Sequence, residues 1–161
     1  MIENIKRFIK INNLDGYIIP KNDNYFTEYS KLNNLKSITK FSGSAGFAIF
    51  LKNKKYLFVD GRYTLQANNQ SGKIFKVMTI PEQMPKKILK EKNYIIGFDP
   101  KLYTKRTFKI FFNKSDCKFK PINKNLIDQI WKRKIVKNYN KFYNLPKNSI
   151  GENFQKKNKK N

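Results

Sequence analysis

Residues with the chemistry to catalyse or bind metals are few in this sequence, and they are loosely spaced. There is no histidine, one cysteine and eleven carboxylates, so the commonest general base and the commonest metal ligand are both missing. The acids, from Glu3 to Glu152, form no close DxD or ExxE group, and one thiol cannot make a structural zinc site. Asp60 and Asp99 each follow an apparent strand; they can meet at a common sheet edge, or each can cap a turn. Gly43-Ser44-Ala45-Gly46 invites comparison with a phosphate loop. It lacks the Gly-Lys-Ser/Thr ending and precedes a strand rather than a helix, so it reads as a close backbone turn. Ser44 has no His or Lys constellation to make it a nucleophile. Arg62, in Asp60-Gly61-Arg62-Tyr63, is the sharpest single candidate: its guanidinium can meet a carboxylate ligand, a neighbouring domain, or an acid of its own fold. Cys117 reads as a small buried residue. The expected catalytic set is empty, and so is the expected metal set.

The elements that must position these residues centre on Phe41–Ala67. Phe47 to Leu51 and Tyr56 to Val59 read as the strands of a hairpin joined by a polar turn over Lys52 to Lys55. Gly43, Ser44, Gly46 and Gly61 are the expected turn residues, and Asp60 is the expected cap of a helix carrying Leu65 and Ala67 that ends at Ser71-Gly72. Upstream, Ile5, Phe8, Ile9 and Ile11 have helical spacing and Gly16 to Ile19 reads as a strand closed by Pro20. Asn22 or Asp23 is expected to cap a short helix through Glu28, Tyr29 and Leu32. Leu35 to Thr39 is ambiguous. Downstream, Phe75 to Thr79 and Tyr94 to Phe98 read as strands. Pro81 is the expected first residue of a helix delayed by Pro85 and buried through Ile88 and Leu89. Thr104 caps a helix expected to bury Phe108, Ile110, Phe111 and Phe112. Lys118 to Pro121 reads as an edge strand, and Leu126 to Trp131 is amphipathic. Strands alternating with helices, around a central hairpin, predict an α/β fold: a mixed sheet with helices on both faces.

The chain has 161 residues, a usual domain length, and 39% hydrophobic residues, including 14 Phe and 9 Tyr. That is enough apolar volume for a core and argues against wholesale disorder. No apolar run approaches the roughly 20 residues of a membrane helix, and the N-terminus lacks the apolar centre of a secretory signal. A cytoplasmic protein that does not enter membranes is the expectation. Lys+Arg total 35 against 11 acids, a net charge of +24. Such a balance suggests nucleic acid, but the cations are nearly all lysine and interleaved with asparagine, as adenine-rich codons would produce. Specific readers of nucleic acid favour arginine; nonspecific polyanion binding at low salt follows on either view. After Trp131 the pattern loosens, and QKKNKKN at 155–161 is a basic tail without core residues.

Several segments resemble one family in order and spacing. They are Asp15-Gly-Tyr-Ile-Ile-Pro20, Asp23 with Glu28-Tyr29, Phe41-Ser-Gly-Ser-Ala-Gly46, Asp60-Gly-Arg-Tyr63 with Leu65-Gln-Ala67, and Leu126-Ile-Asp-Gln-Ile-Trp131. Together they are similar to the amino end of Xaa-Pro aminopeptidases, the creatinase/prolidase N-terminal type of domain. Tyr25 stands where relatives often have His, and Lys40 where many have Gly. The resemblance implies a ribonuclease H-like α/β domain over 1–131, then a connector and basic tail over 132–161 leading toward a second domain. It also implies that hydrolysis belongs to a later pita-bread domain, where two Asp, one His and two Glu hold a pair of divalent metals, usually manganese.

The resemblance thus implies a first domain that packs over a catalytic one, helps shape substrate entrance and supports dimer assembly of the parent enzyme. Arg62, Tyr63 and Asp60 are its substrate-entrance or domain-contact candidates. The second and catalytic domains are the expected missing partners, separated by excision, a truncated gene or a split gene. The reading from another class is a basic module that binds nucleic acid or another polyanion and has no enzymatic activity.

Overall fold

The computed structural model describes residues 1–27, 33–131, 143, 145–149 and 151–159. Its centre is a six-stranded sheet in the order β4-β3-β2-β1-β5-β6: β1 (Gly16–Pro20), β2 (Phe47–Leu51), β3 (Lys55–Asp60), β4 (Lys76–Ile80), β5 (Ile95–Phe98) and β6 (Lys118–Pro121). β2 runs antiparallel to β1 and β3, and the remaining pairs are parallel. The predicted mixed sheet is therefore present, with the hairpin as its antiparallel element.

Alternation along the central strands builds two cores. Tyr17, Ile19, Ala48, Phe50, Leu57 and Val59 face one side, where they meet Ile5 and Ile9 of α1 (Ile2–Ile11), Leu35 and Ile38 of α2 (Asn34–Thr39), Ala67 of α3 (Thr64–Ser71) and Leu126 and Ile127 of α6 (Leu126–Ile130). Ile18, Phe47, Ile49 and Phe58 face the other side. There they pack with Leu89, which follows α4 (Pro85–Ile88), and with Phe112 of α5 (Lys105–Phe112). The six-residue helix α2 takes the stretch that was ambiguous in sequence; the Asn33 side chain caps it by accepting the Lys36 N–H at 2.9 Å. It closes on Lys40, whose φ of 69° is left-handed. That conformation favours glycine. A short helix α7 (Phe154–Asn158) lies in the tail.

Local expectations need correcting at several points. Pro81 follows a cis bond and sits in a turn; Pro85 is the proline that opens α4. Thr104 does cap α5, but Ile110 is 50% exposed. At about 100° per residue, Phe108 and Phe112 share a face and Ile110 points the opposite way. Ile95, in the strand expected to be buried, is also exposed. The Asp23 carboxylate accepts the N–H groups of Tyr25 and Thr27 at 2.9 and 3.1 Å, capping a turn at 24–25. The rest of the helix expected there, Glu28 to Leu32, lies outside the described residues, as does most of the connector after Trp131. Tyr143 and Leu145 are exposed.

The sheet edges are distinctive. β6 shows exposed Lys118 and Lys120 and ends in Pro121, the usual means of discouraging strand addition. On β4, Thr79 is engaged on its outer side: its N–H goes to Gln83 Oε1 at 3.0 Å and its carbonyl receives the Gln83 N–H at 2.8 Å.

Candidate functional site

Because β1, β3, β4 and β5 run the same way, their C-terminal ends lie together, with the start of β2 among them. In open α/β sheets this is the end at which ligands and partners are met. A cleft of about 540 Å³ opens there, lined by Pro20 and Lys21 at the end of β1, Ser44 to Phe47 at the start of β2, Asp60, Ile80 and Phe111 of α5.

The Asp60–Tyr63 motif is held together internally. Asp60 Oδ1 accepts the Arg62 N–H at 3.0 Å and caps a single 3-10 turn over Gly61–Tyr63, after which α3 begins at Thr64. The expected cap is real, but the turn stands between it and the helix. The Arg62 guanidinium returns to the same carboxylate, Nη2 to Oδ2 at 2.9 Å and Nε to Oδ1 at 3.2 Å, and lies over the Tyr63 ring at 5.4 Å. These bonds hold the Asp60 carboxyl below its usual range, against a smaller opposing effect of burial. Of the readings open for Arg62, pairing within its own fold is the one the geometry displays, although the side chain stays 77% exposed. Tyr63 reaches the glycine loop: its hydroxyl lies 2.7 Å from Ser44 Oγ, and its ring stands edge-on to Phe41 at 5.8 Å.

The glycines differ in what they require. A Cβ on Gly43 would lie 2.2 Å from Phe41 Cζ, and Gly46 has φ +147° with Phe58 O 2.8 Å from an added Cβ. Gly61 has ordinary φ and nothing within 4 Å. It is a turn residue as expected, but the turn does not depend on glycine.

Asp60 and Asp99 do come to the same end of the sheet, each capping a 3-10 turn. They stand at the ends of β3 and β5, which β2 and β1 separate, about 14 Å apart by strand spacing, too far to share a proton or a metal. Asp99 is 3% exposed. It accepts the Lys101 N–H at 3.0 Å and Asn125 Nδ2 at 2.9 Å, and Asn125 Oδ1 in turn caps α6 through the Ile127 N–H at 2.8 Å. Nothing in the sequence announced this link, because its partners are 26 residues apart. Lys21, 6% exposed, was likewise missed. So was Tyr103: burial pushes its phenol up, and its hydroxyl has no hydrogen-bond partner among the described residues. Cys117 is half-buried, with its thiol also pushed up by burial.

The cleft's lining is mainly apolar, and its Ser44 hydroxyl and Asp60 carboxylate are engaged by Tyr63 and Arg62. The Ser44 hydroxyl meets another hydroxyl rather than a base, so it is not activated. Among the described residues no three His, Cys, Asp or Glu side chains come together as a metal site, so this donor set does not fit a two-metal centre. No helix among them is long and apolar enough to cross a membrane.

Comparison with known proteins agrees with this geometry. The family model for the creatinase/prolidase N-terminal domain matches residues 1–130. The chain is 31% identical over 164 residues to Xaa-Pro aminopeptidase 1 of Dictyostelium discoideum, covering 92% of itself and 26% of that protein. It is 33% identical over 129 residues to aminopeptidase P1 of Lotus japonicus, covering 73% and 19%. It therefore spans about a quarter or less of the length of these curated relatives. Among solved structures, X-prolyl aminopeptidase from Caenorhabditis elegans, described as a cytosolic enzyme with a di-nuclear active site, superimposes with a TM-score of 0.68 at 26% identity, over 81% of this chain and 25% of that one. The N-terminal domain of the cytoplasmic peptidase PepQ from Mycobacterium tuberculosis shares the fold, with a TM-score of 0.63 at 18% identity, covering 81% and 97%.

Proposed function

Because the chain belongs to the creatinase/prolidase N-terminal domain family, we propose that it is the non-catalytic first domain of a metal-dependent Xaa-Pro aminopeptidase, shaping substrate access and assembly while other polypeptide hydrolyses the bond before proline. The observation that carries this reading is one of proportion: 92% of this chain aligns with 26% of the Dictyostelium enzyme. The residues of the chain support the same division of labour. Ser44 bonds Tyr63, Asp60 bonds Arg62, and the Arg62 guanidinium over the Tyr63 ring links the two pairs, as parts of a brace do, and the scattered acids do not suit a pair of divalent metals. On this proposal the metals, manganese in the usual case, and any dimer contact of the parent enzyme belong with the remaining three quarters. A cytoplasmic setting is part of the proposal, in keeping with the cytosolic enzyme of C. elegans.

The test is direct. Purified chain supplied with manganese and an Xaa-Pro peptide is expected to release no amino acid. Turnover that copurifies with the chain and disappears with a chelator would overturn the reading.

A further inference from the structure

In a chain with 35 Lys and Arg residues, two neighbouring segments carry no charge, bordered by the exposed Lys40, Arg62 and Lys73. Residues 41–51 and 63–72 contain no Asp, Glu, Lys or Arg, and α3 is the one helix among those described without a charged side chain. These two segments adjoin in space. Ser42 N–H donates to Gln70 Oε1 at 2.9 Å, while Gln66 Nε2 and Gln70 Nε2 both donate to Ser42 Oγ, at 2.9 and 3.0 Å. Beside this network Leu65 stands 75% exposed, with Asn69 one helical turn further on.

We propose that this uncharged face, formed by Ser42, Leu65, Gln66, Asn69 and Gln70, is where the domain rests against the larger body its relatives carry, on a protein surface poor in charge with an apolar recess for Leu65. The proposal rests on the first-domain reading above. Three observations carry it. Lysine, present in five of the other six described helices, is absent from α3, which carries glutamine and asparagine instead. Lysine is depleted from the cores of protein interfaces, where an ammonium would have to leave water without a partner. The two glutamine amides are already fixed by Ser42, so little side-chain freedom remains to be lost on docking, and such preorganisation favours binding. The relatives carry enough further polypeptide to cover it, since the chain matches only 26% of the Dictyostelium enzyme. Interfaces between domains of one polypeptide are more polar than obligate ones, which fits one exposed leucine set among amides. A second copy fits less well, because a net charge of +24 opposes self-association. Nucleic acid fits less well again, because the five residues of the patch offer phosphates no cation of their own and the cations nearest in sequence, Lys40, Arg62 and Lys73, stand at its border.

The test is a labelling footprint. In a Cys117→Ser background, Leu65→Cys and, as a control on another helix, Ile110→Cys are each made in the full chain and in a hybrid, in which the full chain replaces the first quarter of the Dictyostelium enzyme. Maleimide is expected to label both thiols rapidly in the free chain. In the hybrid, labelling at 65 slows by roughly tenfold or more, as burial in a packed interface excludes the reagent, while labelling at 110 is unchanged. Three results would overturn the proposal. A hybrid that turns over Xaa-Pro peptide while 65 stays fully reactive removes this face and leaves the first-domain reading standing. Protection of 65 in the free chain that grows with protein concentration assigns the face to a second copy. A hybrid that neither protects 65 nor turns over substrate, while the free chain remains folded by circular dichroism, removes the first-domain reading itself.

Discussion

The hydroxyls of Ser44 and Tyr63 lie 2.7 Å apart and join the glycine loop before β2 to the turn after β3. Two sequence motifs separated by 19 residues are thereby one structural unit. Ser44→Ala and Tyr63→Phe should each cost about 0.5–1.5 kcal/mol, the net worth of one hydrogen bond. The double variant should cost clearly less than the sum, because both changes remove the same bond. Urea unfolding of the three variants measures this; strictly additive losses would mean the hydroxyls do not interact.

Backbone geometry separates positions that look alike in sequence. Gly43→Ala drives a methyl into the buried Phe41 ring and should lose about 1–3 kcal/mol, the usual penalty of overpacking. Gly61→Ala meets open space and should be neutral or gain up to about 1 kcal/mol by narrowing the unfolded ensemble. Lys40→Gly should stabilise by about 1 kcal/mol, because the left-handed φ of 69° strains any side chain with a Cβ. Thermal midpoints rank the three, and equal midpoints for the two Gly→Ala variants would contradict the geometry.

Much of this was legible in the sequence. Thr104 caps α5, Pro20 closes β1, and the short apolar runs Phe47–Leu51 and Tyr56–Val59 mark the hairpin strands, because each of these signals is local. Other features were hidden because they depend on distant partners or on rotation about a helix axis. Ile110 counts as apolar in composition but points away from Phe108 and Phe112. Lys21 is buried by loops that converge only in the folded chain. For Arg62 the sequence leaves a carboxylate ligand, a neighbouring domain and an acid of its own fold open, and only the fold displays the pairing with Asp60, two positions earlier.

Asp15 joins β1 to the start of β5. Its Oδ2 accepts the Ile95 N–H at 2.9 Å and its Oδ1 the Lys52 ammonium at 2.7 Å. The Ile95 amide first, then Lys52, hold its carboxyl below the usual range. A carboxyl lowered in the folded state stabilises the fold above its unfolded value, about 3.9, and that contribution is lost as pH falls through the folded value. The stability gap between the parent chain and Asp15→Asn should be full near about pH 7 and should close below about pH 4. A gap that persists at low pH in denaturant titrations would exclude the carboxylate as its source.

Asn125 caps α6 and also bonds the buried Asp99 carboxylate. Asn125→Ala should cost more than the roughly 1 kcal/mol of a lost cap, because it also strips a partner from a buried acid. Asn125→Ser, which restores the cap alone, should recover part of the loss. Full recovery by serine would show that the Asp99 bond contributes nothing.

The surface lysines should bind polyanions weakly and without preference. Heparin or duplex DNA retention should fall with log[salt] at a slope of about −0.9 per phosphate contacted and vanish near physiological ionic strength. Sequence-selective binding that survives such salt, seen by fluorescence anisotropy, would contradict a merely compositional charge.

On the outer flank of β4, Gln83 fills for Thr79 both roles that a neighbouring strand would fill. Further ribbons added on that flank would have to displace the protein's own amide, and at the opposite border they would meet two ammonium groups and an imino ring that donates nothing. Fibril seeding is thereby hindered at both borders, in a polypeptide whose aromatic and β-branched segments would otherwise lend themselves to it.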